Sequence, residues 1–167
     1  GDHRDLHLSI RRQRQMCIRD SFEAEFFRVC HSIPDAMGIA LRTPLGLVLH
    51  TGDFKIDHTP VDGMATDFTK LAELSSEGVL LLCSDSTYAE LPGYTPSERI
   101  VGDTLNRVLA EAPGRVIIAT FASLISRIQQ VINAAAIEQR RMGVVGRSMI
   151  NNVKMALDMG YLQDQQQ

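Results

Sequence analysis

Residues 49–57 read LHTGDFKID, an apolar run closed by a threonine, a glycine and then a carboxylate, Asp53. A glycine–aspartate pair at the end of a strand is commonly a turn. It is also a way to set a metal ligand at a sheet edge, where several strand ends converge. Three more clusters carry chemistry-bearing groups at the ends of expected strands: CHSIPD (30–35), CSDSTYAE (83–90) and FASLISR (121–127), with GRS (146–148) beside the last. In a layered α/β protein, ligands collect at such ends. His31 lies in an expected loop before Pro34, where a lone histidine is more often a hydrogen-bonded structural residue than a ligand. His50 and His58 flank Asp53 and are expected to be solvated, while Asp35 and Glu98 read as caps. His31 and Asp53 form the better pair, because a hairpin between 36 and 51 lays its outer ends side by side. Imidazole plus carboxylate at adjoining strand ends suits zinc or manganese. Two ligands do not make a site.

The elements that must position these groups can be read from the patterning. FEAEFFRV (22–29), AMGIALRT (36–43) and GLVLHT (46–51) read as strands, the last two joined as a hairpin through TPLG. TDFTKLAELSSEG (66–78) puts Phe68, Leu71, Ala72 and Leu74 on one helical face and stops at Gly78. VLLLCSDS (79–86) is continuously apolar and then polar, as expected of a strand buried on both faces. From residue 95 the pattern changes. Thr95, Pro96 and Glu98 spell a capping box opening a helix over 95–114. A strand at 115–121, a helix at 122–140, a short strand at 142–148 and a helix at 149–162 follow. That alternation implies parallel strands with crossover helices. The fold class is α/β, hairpin-rich first and an α/β unit second, with the boundary near 85–95.

With 167 residues, 44% of them hydrophobic, the chain can build one domain or pieces of two. A net charge of −3 excludes a wholly basic nucleic-acid binder but leaves room for a local basic groove. Cys17, Cys30 and Cys83 are far apart, with no C-x-x-C pair, which speaks against a disulfide framework and for a reducing compartment. No apolar run approaches the roughly 18 residues of a membrane span. The N-terminus has no continuous apolar core of a secretory signal. The expectation is a cytoplasmic protein.

Residues 1–20, GDHRDLHLSIRRQRQMCIRD, stand apart. Five arginines and no lysine could form a basic arm for nucleic acid. RRQRQMCIRDS also looks like translated adapter sequence, so the segment is set aside as a non-native or disordered leader.

The strings FFRVCHSIPDAMGIALRTPLGLVLHTGDFKIDHTPVDG, LLCSDSTYAELPGYTPSE, ATFASLISRIQQVINAA and VVGRSM resemble the bacterial ribonuclease J family, a β-CASP branch of the metallo-β-lactamase fold, over about 22–162. The resemblance implies a zinc-dependent ribonuclease, with manganese or magnesium as alternatives, acting on RNA as 5′-exonuclease and endonuclease in rRNA processing and mRNA decay. It makes His31 a metal ligand and Asp53 a carboxylate bridging two metals. Together these would activate a water for in-line attack on the phosphodiester. Asp85 becomes the acid that orients a proton-donating histidine. Ser123, Arg147 and Ser148 fall where a terminal RNA phosphate would be held. It further implies a homodimer or homotetramer, RNA-decay protein partners and no membrane.

The chain also departs from the family pattern. The H-x-H-x-D-H metal motif and the later histidines are absent, and Leu124 and Ser126 stand where more polar residues are expected. The expectation is therefore an internal fragment, inactive by itself. Residues 21–88 would be the end of the first metallo-β-lactamase segment, part of an αββα sandwich, and 89–167 the start of the inserted β-CASP domain. Two rival readings are a metallo-β-lactamase-fold hydrolase of a small ester or thioester and a non-catalytic RNA-binding module. An upstream H-x-H-x-D-H in the reading frame would separate enzyme from module.

Overall fold

A computed structural model of the chain describes residues 21–163 and, as backbone, 15–17. The described residues fall into two compact units. One comprises 21–31, 35–56 and 65–95 with the 15–17 strand; the other comprises 32–34, 57–64 and 96–163.

The first unit is a sheet of five strands in the order β1 (Gln15–Cys17), β2 (Glu23–Arg28), β3 (Met37–Thr43), β4 (Gly46–His50), β5 (Val79–Cys83). β1 to β4 pair antiparallel in turn, and β5 joins β4 in parallel. The expected hairpin is present. Thr43 Oγ1 donates to the Gly46 carbonyl at 2.8 Å and accepts from the Leu45 N–H at 3.2 Å, closing the turn. A parallel pair needs a long crossover, and helix α1 (Phe68–Glu77) supplies it. Asp67 caps α1 by accepting from the Lys70 N–H at 3.0 Å, and Gly78, at φ +86°, ends it. Leu74 of α1 is fully buried with Phe27, Val29, Ala40, Leu47 and Leu49. Gly38 makes room for the Phe27 ring lying across it: a Cβ there would sit 2.2 Å from Phe27 Cζ.

On the α1 side of the sheet Glu25 is 6% exposed, on the same strand face as Phe27. It survives burial because Arg42 Nη1 and Nη2 reach it at 3.1 Å and Lys70 Nζ at 3.0 Å. Arg42 also holds Glu77 of α1 at 2.6 Å. Burial pushes the Glu25 carboxyl up, but the hydrogen bonds and charges of Lys70 and Arg42 outweigh it and hold it below the usual range.

One expectation fails here. β5 is not buried on both faces: Leu80, Leu81 and Leu82 are 62%, 52% and 57% exposed. It pairs with β4 on one side only, and among the described residues nothing covers its faces. Gln15–Cys17 forms an edge strand inside the segment set aside as a leader. β2 would otherwise present unpaired backbone groups on that side, and three extended residues satisfy them. The remainder of 1–20 lies outside the described residues.

The second unit holds helices α2 (Arg99–Glu111), α3 (Ile125–Ile137) and α4 (Arg147–Asp158). α3 is the shared element. Ile125, Ile128 and Ile132 pack with Val153, Ala156 and Leu162, while Ala134 and Ala135 pack with Leu109 of α2. The strands expected at 115–121 and 142–148 do not form. Among the described residues the first has no sheet partner and leaves Ile117 89% and Phe121 79% exposed. A strand is defined by the neighbour that takes its hydrogen bonds, and β propensity alone cannot supply one. Arg147 and Ser148 accordingly open a helix instead of ending a strand.

The capping box at Thr95 is also absent. α2 begins at Arg99, and Glu98 caps it without a side-chain bond. The buried carboxylate of Asp57 does the work, accepting from the Glu98 N–H at 3.1 Å and from Ser97 Oγ at 2.9 Å. An ionised acceptor competes better than a neutral hydroxyl for a helix N-terminus. The Glu98 carboxylate pairs instead with Arg127, whose Nε lies at 3.1 Å.

Candidate active site

Because β2, β4 and β5 all run the same way, their carboxyl ends share one rim of the first unit. Residues 29–31, 51–55 and 84–87 leave the sheet there, and backbone bonds tie them together. The Lys55 N–H donates to the Cys30 carbonyl at 2.7 Å, and the Thr51 N–H to the Cys83 carbonyl at 3.0 Å. The Cys30 N–H donates to Thr66 Oγ1 at 2.9 Å, a bond buried from solvent. Cys30, the residue before His31, is therefore held at its N–H by Thr66 and at its carbonyl by the loop carrying Asp53.

Gly52 makes that loop possible. Its φ is +64°, and a Cβ would sit 2.7 Å from the Met37 carbonyl oxygen. Its N–H donates to His50 Nδ1 at 2.9 Å, so His50 braces the turn while remaining exposed. Asp53 projects from this turn exposed, and His31 is half-buried.

Asp85 is half-buried two residues beyond β5. Its Oδ1 accepts from Thr87 Oγ1 at 2.6 Å and the Thr87 N–H at 3.0 Å. Those bonds, with the Phe54 N–H and the nearby His31 imidazole, hold its carboxyl below the usual range against a smaller opposing effect of burial. All three expected residues of this unit thus stand at one rim, where β2, β4 and β5 end. The hydroxyls after Asp85 were expected to steady it, and Thr87 does so; the sequence reading missed Thr51 and Thr66. For Thr51 the available signal was its place directly after β4, whereas Thr66 meets Cys30 only through folding, thirty-six positions away.

In kind, the donors fit a borderline divalent metal: one imidazole, one free carboxylate and a second carboxylate nearby. In number they fall short, since no group of three His, Cys, Asp or Glu able to hold a metal occurs among the described residues.

Ser123, Arg147 and Ser148 belong to the second unit, and all three are exposed. Asn152 Nδ2 donates to the Ala122 carbonyl at 3.0 Å. That bond lays the loop before α3 beside the second turn of α4, about one turn from Arg147 and Ser148. Leu124 sits at the N-cap of α3 and offers no side-chain bond to the helix end.

Residues 113–167 match the family profile "Ribonuclease J, beta-CASP domain". Ribonuclease J of Thermus thermophilus is 52% identical over 141 residues, covering 84% of this chain and 25% of that protein. Ribonuclease J of Synechocystis is 51% identical over 142 residues, covering 85% of this chain and 22% of the relative. Those two alignments take in most of the chain.

The chain carries a ribonuclease J family segment.

Ribonuclease J2 of Bacillus subtilis matches more of it, 98% of the chain at 42% identity, and 29% of that relative. The chain thus spans about a quarter of the length of these ribonuclease J relatives. A crystal structure of a protein of unknown function from Enterococcus faecalis superposes with a TM-score of 0.55 over 71% of this chain and 29% of that one. At 20% identity it speaks for the fold alone. Both the mixed α/β architecture and the β-CASP match agree with the expected fold class. No helix among the described residues is long and apolar enough to cross a membrane.

Proposed function

We propose that this segment belongs to a metal-dependent ribonuclease that hydrolyses RNA phosphodiesters as a 5′-exonuclease and endonuclease, in rRNA processing and mRNA decay. The observation that carries the reading is the shared rim of His31, Asp53 and Asp85 in a chain about half identical to proteins named ribonuclease J. His31 and Asp53 would contribute ligands to zinc, or to manganese or magnesium, with further donors from outside the described residues. Bound metal supplies an acidified water and neutralises phosphate charge. Asp85 is ionised at neutral pH, and its Oδ1 is saturated by Thr87. Oδ2 is then the oxygen that orients a proton-donating histidine. Ser123, Arg147 and Ser148 would receive the RNA phosphate at the openings of α3 and α4. The 167-residue chain alone is expected to be inactive, and the full enzyme is expected to be a cytoplasmic homodimer or homotetramer, with RNA-decay proteins as partners.

The test is single-turnover cleavage of a 5′-monophosphorylated RNA by the full-length enzyme, with metal content measured on the same samples. Asp85→Asn should lower kcat on the order of 10²-fold at unchanged metal content, as expected for lost acid–base support. Asp53→Ala should lose metal and cleavage together. Parental cleavage by Asp85→Asn, or metal loss in it, would refute this division of roles.

A further inference from the structure

Between the two carboxylates stands a threonine. Thr51 is the first residue beyond β4, and three hydrogen bonds converge on it. Its N–H donates to the Cys83 carbonyl at 3.0 Å, extending the β4–β5 pairing past both strand ends. Its hydroxyl donates to the Gly52 carbonyl at 2.8 Å and accepts from the Asp85 N–H at 3.0 Å. A hydroxyl has one proton to give and lone pairs to receive, so a single oxygen joins the turn that presents Asp53 to the peptide that presents Asp85. Asp53 is thus carried on a short turn whose first residue, Thr51, is bonded to Asp85.

We propose that Thr51 is a positioning residue for hydrolysis, its side-chain oxygen setting the spacing between Asp53 and Asp85. The inference rests on the ribonuclease reading above and deepens it. Without the hydroxyl, the half-buried Asp85 N–H loses its acceptor and the Gly52 carbonyl loses a donor. The strand pairing below is untouched, because the Thr51 N–H and carbonyl remain.

Thr51→Val keeps the branched shape and deletes the oxygen; Thr51→Ser keeps the oxygen and deletes the methyl. In the 167-residue chain, amide exchange at Asp85 should accelerate at least about 10-fold in Thr51→Val and stay near the parental rate in Thr51→Ser. In the full-length enzyme Thr51→Val should lower kcat about 10-fold with KM nearly unchanged, a typical loss for a group that orients ligands. Thr51→Ser should restore kcat. Parental exchange in Thr51→Val, equal loss of kcat in both variants, or a change confined to KM would each overturn the proposal. If the parental enzyme itself fails to cleave RNA, the ribonuclease reading falls and takes this role with it; if only the variants disagree, the role alone falls.

Discussion

At Gly52 two constraints coincide, a left-handed backbone and a carbonyl 2.7 Å from any added Cβ. Either would disfavour a side chain; together they require the backbone to move, since the obstacle is main chain. Gly52→Ala should cost more than the roughly 1–3 kcal/mol of a strained φ alone, read as a lowered urea midpoint at unchanged m-value. The Lys55 amide should exchange faster in the same variant, because its bond to the Cys30 carbonyl depends on the course of this turn. Asp57 shows how far local reading can mislead at this scale. It stands four residues after Asp53 in a short acidic string, yet it caps α2 from a distance of forty-one positions. Only chain folding puts those groups together, so no spacing rule could have revealed it.

Helix α1 joins the sheet through two different interfaces, one apolar and one ionic. Leu74→Ala should destabilise the first unit by about 2–5 kcal/mol, the range for emptying a packed leucine site, measured by urea unfolding. Glu25 responds to pH. Its carboxyl is held below its ordinary value, so the stability it contributes is complete above the unfolded value of 4.5 and is lost as pH falls through the lower folded value. Glu25→Gln should flatten that acid limb of the stability curve and cost about 2–3 kcal/mol at neutral pH. The figure is below that of a fully buried pair, because Arg42 and Lys70 keep contact with water. The elements in this unit were legible because β2, β3, β4 and α1 each carry a clear period and a turn or cap at their ends. β5 was legible as a strand but not in its burial, since VLLLC says that a strand is apolar and not what will cover it.

Across the whole molecule, the expected α/β unit after residue 95 became three helices with extended connections. The helices were found because each needs only its own backbone bonds and one apolar face. The strands were not, because pairing is made with residues distant in sequence. The candidate site was legible to the same degree: the His31–Asp53 pair could be named from strand ends and Asp85 from the family resemblance, whereas the Thr66 hydroxyl that holds Cys30 could not. Exposed β5 also has a colloidal consequence, as long apolar edges recruit other chains. Light scattering should show association growing with concentration, and Leu81→Lys should suppress it without lowering the urea midpoint.

The parallel pairing of β4 with β5 has a kinetic consequence. The β3–β4 hairpin closes across two residues, on the microsecond scale of hairpins, whereas β5 must wait for residues 51–78 to be looped out and for α1 to dock. The bonds from Thr51 to Cys83 and Asp85 are then among the last formed on refolding and among the first lost on local opening. A nascent chain emerging residue by residue would complete its hairpin well before Asp85 could meet Asp53. The rim shared by His31, Asp53 and Asp85 thus matures late, on a scaffold already in place.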